Sequence, residues 1–209
     1  MKAAVLYANE DIRYTDYQTP EVKPGTVKIH VRATGICGSD VPRELHHGAH
    51  FYPVVLGHEF AGDVVEVGEG VTGLQVGDTV SGAPLVPCGD CPDCQSGNFS
   101  LCKHYSFIGS RQQGRFAEYV VVPQQNAVPY HRAIPYEQAA MFEPSTVALH
   151  GLLCSDYQGG GRVAVRGCGT IGIFTLQWAK IFGAQTIVAF DIDDGRLALA
   201  KRMGADEVV

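Results

Sequence analysis

Four cysteines fall within the stretch VPCGDCPDCQSGNFSLCKH, at positions 88, 91, 94 and 102. Thiolates spaced C-x2-C-x2-C can reach one metal ion, and the intervening Gly, Asp and Pro permit the tight turns this requires. Four thiolates make a closed tetrahedral zinc site, with no position left for water or substrate. An iron–sulfur site can begin with the same spacing, but its fourth cysteine stands elsewhere and no second cluster motif is present. Unliganded surface thiols are the plain alternative. The chain has seven cysteines, and Cys37, Cys154 and Cys168 stand alone, so a disulfide framework fits poorly. The expectation is a structural zinc at Cys88, Cys91, Cys94 and Cys102 that holds a long irregular segment in shape. The chemistry must then lie elsewhere.

Around that segment, residues 1 to about 130 read as short strands and glycine turns. TVKIHVRATGIC alternates Val27, Ile29 and Val31 with Lys28, His30 and Arg32, the period of a half-buried strand. AGDVVEVGEGVTGLQVGDTVSG reads as strand, turn, strand, and GRFAEYVVVP as one more. Such a pattern indicates a barrel or sandwich. Segments 37–56 and 84–112 are too long for plain loops and need a function or a staple. PYEQAAMFEPSTVALHGLLC is read as helical, interrupted near Pro144. In TIGIFTLQWAKIFGA, Ile171, Phe174, Trp178 and Ile181 recur at helical spacing, and TIVAFD and DDGRLALAKRMGA supply the next strand and helix. Acidic residues number 22 against 16 Lys plus Arg. That balance offers no footprint for nucleic acid or an anionic membrane. With no spanning segment and no leader visible, the sequence reads as a cytoplasmic protein.

A second metal site is suggested by Cys37 in ATGICGSD, His58 and Glu59 in PVVLGHEFAG, and Glu143 in AAMFEPST. A catalytic zinc takes about three protein ligands of mixed type and keeps one position open. Each residue also has a plain alternative: a buried small thiol, a satisfied histidine, a solvated carboxylate. Ser39, two residues beyond Cys37, could pass a proton toward solvent. His46, His47 and His50 form a local cluster with no individual assignment.

VAVRGCGTIG carries Gly167, Gly169 and Gly172 as G-x-G-x-x-G between a strand and a helix. The first glycine permits the turn, the second a close approach of pyrophosphate, the third close helix–strand packing. The start of the following helix, at Thr170 and Ile171, then faces the phosphates. Asp191 ends the next strand, where a carboxylate binds ribose hydroxyls and repels a 2′-phosphate, favouring NAD. An ordinary βαβ unit is the plain alternative.

GHEFAGDVVEVGEGV, with Gly57, His58, Glu59, Gly62, Gly68 and Val71, resembles the zinc signature of the zinc-dependent medium-chain alcohol and polyol dehydrogenases. The four-cysteine lobe and GCGTIG follow in that family's order. The resemblance implies a mixed β and α/β fold: a GroES-like β-barrel catalytic domain over 1–150, then the first half of a Rossmann domain over 151–209. It covers essentially the whole chain and implies an N-terminal fragment of a longer enzyme; a natural small protein with a minimal sheet is the alternative. Cys37 and His58 match catalytic-zinc ligands. Where alcohol dehydrogenases place a third cysteine, Glu143 stands, as in the polyol branch. Glu59 matches a carboxylate that ligates zinc directly or exchanges with another ligand. Ser39 matches the proton relay, Asp191 the ribose-binding acid and Arg196 a residue near the adenosine ribose. Cys154 and Cys168 match no ligand. Arg43 replaces a tyrosine of the sorbitol-specific branch, which points away from plain sorbitol; Arg43 and Arg111 are candidate phosphate partners. The implied activity is NAD-dependent, zinc-assisted oxidation of a polyol or polyol phosphate, with one catalytic and one structural zinc, by a homodimer or homotetramer. Sorbitol, xylitol, butanediol or threonine-type substrates, or an inactive zinc-binding fragment, are the alternatives.

Overall fold

The computed structural model describes residues 1–209, and contacts divide the chain into two compact units, Met1–Met141 and Phe142–Val209. Strands of the first unit are β1 (Lys2–Ala8), β2 (Asp11–Asp16), β3 (Thr26–Thr34), β4 (Val54–Val55), β5 (Phe60–Val67), β6 (Thr79–Gly82), β7 (Leu85–Val86), β8 (Ser106–Phe107), β9 (Tyr119–Pro123) and β10 (Ala127–Pro129). They form a five-stranded sheet in the order β10-β6-β5-β3-β9, a three-stranded sheet β2-β1-β4 and a ribbon β7-β8. The alternation in β3 selects its inward face: Val27 and Ile29 are buried while Lys28 and His30 are half-buried. These two residues join Phe60, Val64, Val80, Ile108, Val120 and Val122 in one apolar core. The β3–β5 register shifts between Lys28 and Ile29 and between Val31 and Ala33. Such bulges bend and twist a sheet, here into a curl around that core.

Both long segments of the first unit carry little regular structure. The first holds α1 (Asp40–Pro42), a wide π-type turn at Arg43–His47 and β4; the second holds β7, α2 (Pro92–Gln95), a 3-10 turn at Phe99–Leu101 and β8. The unit closes with α3 (Tyr136–Ala139). Tyr136 Oη donates to Asp63 Oδ1 at 2.7 Å, which ties α3 to β5.

The second unit runs α4 (Phe142–Cys154), β11 (Arg162–Arg166), α5 (Thr170–Ile181), β12 (Thr186–Phe190), α6 (Asp194–Arg202) and β13 (Glu207–Val208). β11, β12 and β13 are parallel, so each neighbouring pair needs a crossover, and α5 and α6 supply them. Two sequence expectations need correction. The helix break falls at Ala140–Met141, not at Pro144, which is buried in the first turn of α4; a first-turn residue has no intrahelical bond to lose. On α5 the core face is Ile173, Leu176 and Ala179, whereas Ile171 and Ile181 are 42% and 71% exposed. Trp178 instead donates its indole N–H to Ser145 O and Oγ, both at 3.0 Å, joining α5 to α4. No helix is long and apolar enough to cross a membrane.

Candidate functional site

Two groups of ligating side chains occur in the first unit. Cys37 follows β3, and His58 and Glu59 lead into β5. The antiparallel β3–β5 pairing brings Thr34 opposite Phe60, so these residues, distant in sequence, converge. One ligand atom each from Cys37, His58 and Glu59 lies within 4.8 Å of the others. The Gly35 amide and the Thr34 hydroxyl donate to Glu59 O at 2.8 and 2.9 Å, pinning the approach to Cys37. A Cβ on Gly35 would stand 2.2 Å from Glu59 Oε2, so a larger residue there would displace that carboxylate.

Sequence reasoning missed Asp40. Its carboxylate is 3% exposed. Oδ2 accepts the Cys37 N–H at 3.1 Å, and Oδ1 lies 3.8 Å from His58 Nδ1. The buried acid therefore holds the Cys37 backbone and sets a carboxylate oxygen 3.8 Å behind His58, where the second partners of metal ligands commonly stand. Burial pushes the Asp40 carboxyl above its ordinary range, against the pull of His58 and the Cys37 N–H. Burial raises Glu59 likewise, opposed by His58 and by a hydrogen bond with Cys37. Two carboxyls that burial makes reluctant to ionise, beside a thiol and an imidazole, suit a divalent cation, which would stabilise the carboxylates. Ser39 Oγ donates to Cys37 Sγ at 3.4 Å. Glu143 lies in the first turn of α4, in the second unit.

The other group is the four-cysteine lobe. Sulfur–sulfur distances are 3.5 Å for Cys91–Cys94, 3.5 Å for Cys88–Cys102 and 3.9 Å for Cys88–Cys94. These are far beyond a disulfide bond of about 2.05 Å. A tetrahedron with metal–sulfur bonds of about 2.3 Å has edges of about 3.8 Å, so the thiols fit zinc. Amide turns hold them: Gln95 N–H donates to Cys91 O at 3.0 Å and Gly97 N–H to Cys94 O at 3.0 Å. Hydrogen bonding from the Cys94 backbone, foremost, brings the Cys91 thiol down to about 7, while the Asp90 side chain pushes Cys88 up to about 12. Metal binding would draw all four to thiolates.

In the second unit the glycine turn joins β11 to α5. Gly167 has φ 93°, and a Cβ on Gly172 would lie 1.8 Å from Gly167 O; glycine alone permits that turn and that approach. Gly169 caps α5 without a side-chain hydrogen bond, so the amides at Thr170 and Ile171 remain available to an anion. Asp191 Oδ2 accepts the Cys168 N–H at 2.6 Å and Oδ1 the Asp193 N–H at 3.0 Å. Those two amides, Cys168 first, hold its carboxyl below the usual range. Arg196 Nη1 stands 3.9 Å from Asp191 Oδ2, and Asp193 caps α6 through the Arg196 N–H at 2.9 Å. A cavity of about 280 Å³ beside the turn is lined by Arg166, Gly167, Phe190, Asp191, Ile192 and Val209. Ile192, in that lining, is fully exposed, and periodicity gave no reason to single it out.

A family model described as "Alcohol dehydrogenase GroES-like domain" matches residues 23–132, and one described as "Zinc-binding dehydrogenase" matches 170–209. The galactitol 1-phosphate 5-dehydrogenase of Escherichia coli (strain K12) is 42% identical over 206 residues, 98% of this chain and 60% of that protein. The crystal structure of galactitol-1-phosphate dehydrogenase from Escherichia coli matches with a TM-score of 0.95, 42% identity, and coverage of 100% of this chain and 60% of that one. The L-threonine 3-dehydrogenase of Shewanella loihica (strain ATCC BAA-1088 / PV-4) is 39% identical over 214 residues, 100% of this chain and 62% of that protein. The chain thus spans about 60% of the length of the curated relatives it matches.

Proposed function

The chain belongs to the zinc-binding medium-chain dehydrogenase family, with a GroES-like first unit and a partial Rossmann-type second one, and on that premise we propose that the protein takes part in NAD-dependent oxidation of a polyol. Galactitol 1-phosphate, oxidised at C5 to tagatose 6-phosphate, is the substrate favoured by the 42% identity. The observation that carries the reading is the convergence of Cys37, His58 and Glu59 within 4.8 Å.

Cys37 and His58 would hold a catalytic zinc, with Glu59 as a direct or exchanging ligand, and Cys88, Cys91, Cys94 and Cys102 a structural one. When bound, zinc supplies Lewis acidity toward a hydroxyl and NAD accepts a hydride. Every other part is played by the chain. Asp40 keeps His58 and Cys37 in place. Ser39, 3.4 Å from the Cys37 sulfur, receives the substrate's hydroxyl proton and hands it outward. The amides at Thr170 and Ile171 take the pyrophosphate, with Gly167, Gly169 and Gly172 letting it approach. Asp191 binds the ribose hydroxyls with Arg196 beside it, and its charge disfavours a 2′-phosphate. In this reading the protein acts in the cytoplasm, and the full-length parent is a homodimer or homotetramer.

The similarity to an L-threonine 3-dehydrogenase supports a second reading, oxidation of an amino alcohol at the same cluster. NADH formation with galactitol 1-phosphate, galactitol and L-threonine separates the two, with metal content measured in parallel. His58→Ala is expected to abolish turnover and remove about one zinc per chain. Full turnover in that variant would sink the proposal.

A further inference from the structure

Arg43 sits beside the Cys37–His58–Glu59 cluster. Its Nη1 donates to Ser39 O at 2.8 Å and to Ser39 Oγ at 2.9 Å, and that hydroxyl lies 3.4 Å from Cys37 Sγ. Laid end to end, the last two contacts place the guanidinium within about 6 Å of the thiol. Nε and Nη2 of Arg43 make no hydrogen bond in the protein, and no carboxylate stands within ion-pair distance of it, although its charge reaches Asp40.

That edge of a guanidinium has a preferred use. Nε and Nη2 point the same way and match two oxygens of a carboxylate or phosphate. Arg13 of this chain shows the pairing, donating from Nε and Nη2 to the two oxygens of Asp11 at 2.6 Å each. Arg43 presents the same fork beside a metal-ligand cluster, in a chain of net charge −6. Arg111, the other candidate, lies over the Tyr105 ring at 4.8 Å and reaches its hydroxyl at 3.5 Å. Arg32 is committed to Asp63 at 2.7 Å.

We infer that Arg43 selects sugar-alcohol monophosphates, taking the phosphate on its Nε–Nη2 edge while Nη1 stays on Ser39. The inference rests on the proposed polyol reaction and names the residue that decides its substrate class. A phosphorylated substrate then completes a continuous chain of contacts from phosphate through Arg43 and Ser39 to the cluster. An unphosphorylated polyol leaves that chain open at one end.

The test is calorimetric binding to the zinc-loaded protein, which needs no turnover, using galactitol 1-phosphate, galactitol and inorganic phosphate. Wild type is expected to prefer the phosphorylated polyol, and Arg43→Gln to reduce the ratio of the two polyol affinities by about 10- to 100-fold. Arg43→Lys keeps the charge without the fork and should fall between them. Zinc content and melting temperature of both variants establish that the fold is intact. An unchanged ratio in Arg43→Gln would overturn the inference, as would an equal loss for both polyols, which leaves Arg43 a support for Ser39 alone. Binding that requires Arg43 for inorganic phosphate but not for the phosphorylated polyol would overturn it too. If wild type binds galactitol and the phosphate adds nothing, this inference fails while the polyol reading stands; if neither polyol binds, both fail.

Discussion

The four-cysteine lobe draws its ligands from fifteen consecutive residues, 88–102, whereas the Cys37–His58–Glu59 cluster draws its own from segments flanking two paired strands. In the lobe, local turns alone set the sulfur positions, and four like ligands close the site. In the other cluster, a sheet register and a buried acid set the positions, and three unlike ligands leave coordination to spare. The first arrangement suits holding a loop; the second suits handling a substrate. Independence of the two is the most breakable part of the contrast. Cys88→Ser should remove about one zinc per chain, and the loss is large because structural zinc binding is worth roughly 10–16 kcal/mol. Proteolysis should then cut within 88–102, while elemental analysis still finds the zinc at Cys37. Loss of both metals in Cys88→Ser would mean that one site depends on the other.

Arg115 is buried in the same unit as both clusters, with more of its polar atoms unpartnered than any other side chain. It is 0% exposed, none of its guanidinium nitrogens has a partner, and its guanidinium carbon lies 4.5 Å over the Phe60 ring. Burial pushes the guanidinium well below its ordinary range. Cation–π attraction is worth about 2 kcal/mol when desolvated, less than an unpaired buried charge costs. Arg115→Met is therefore expected to stabilise the fold, read from a higher denaturant midpoint at constant slope. Destabilisation would show that the packing of Arg115 and its contact with Phe60 outweigh the cost of burying it.

The same division, local against long-range, governs what could be read from the residues. The cysteine lobe and the Gly167–Gly172 turn were legible because their geometry is fixed within a few positions. Family resemblance located Cys37, His58 and Glu59, but their spacing alone left the plain alternatives open. Asp40 escaped notice because its role depends on packing behind His58, which no periodicity reports. On α5, apolar residues occupy more than one face, so the 3.6-residue period could not choose between Ile171–Phe174–Trp178 and Ile173–Leu176–Ala179. Close packing of Gly172 on the β11–α5 turn made that choice. Nothing local distinguishes Arg115 from a solvated arginine in GRFAEY.

Asp40 sharpens the contrast with a smaller effect. Asp40→Asn keeps an acceptor for the Cys37 amide but removes the charge facing His58. Metal affinity at that cluster should fall by about 10- to 100-fold, measured by chelator competition, while the cysteine lobe retains its zinc. An equal loss at both sites would remove the distinction between a locally built centre and one that needs a buried acid.

The smallest expected effect concerns the sheet that carries the second cluster. Asp63, four residues after Glu59, accepts from Tyr136 Oη and from Arg32 Nε, both at 2.7 Å. Burial alone would raise its carboxyl; the Tyr136 hydrogen bond and then Arg32 outweigh it and hold it below the usual range. A depressed folded-state pKa stabilises fully above the unfolded value, near 4, and the contribution is lost as pH falls through the folded value. Asp63→Asn should therefore lower the melting temperature at neutral pH, and the gap from wild type should narrow below about pH 4. A gap that stays constant down to about pH 2 would assign Asp63 a purely steric part in holding α3 to β5.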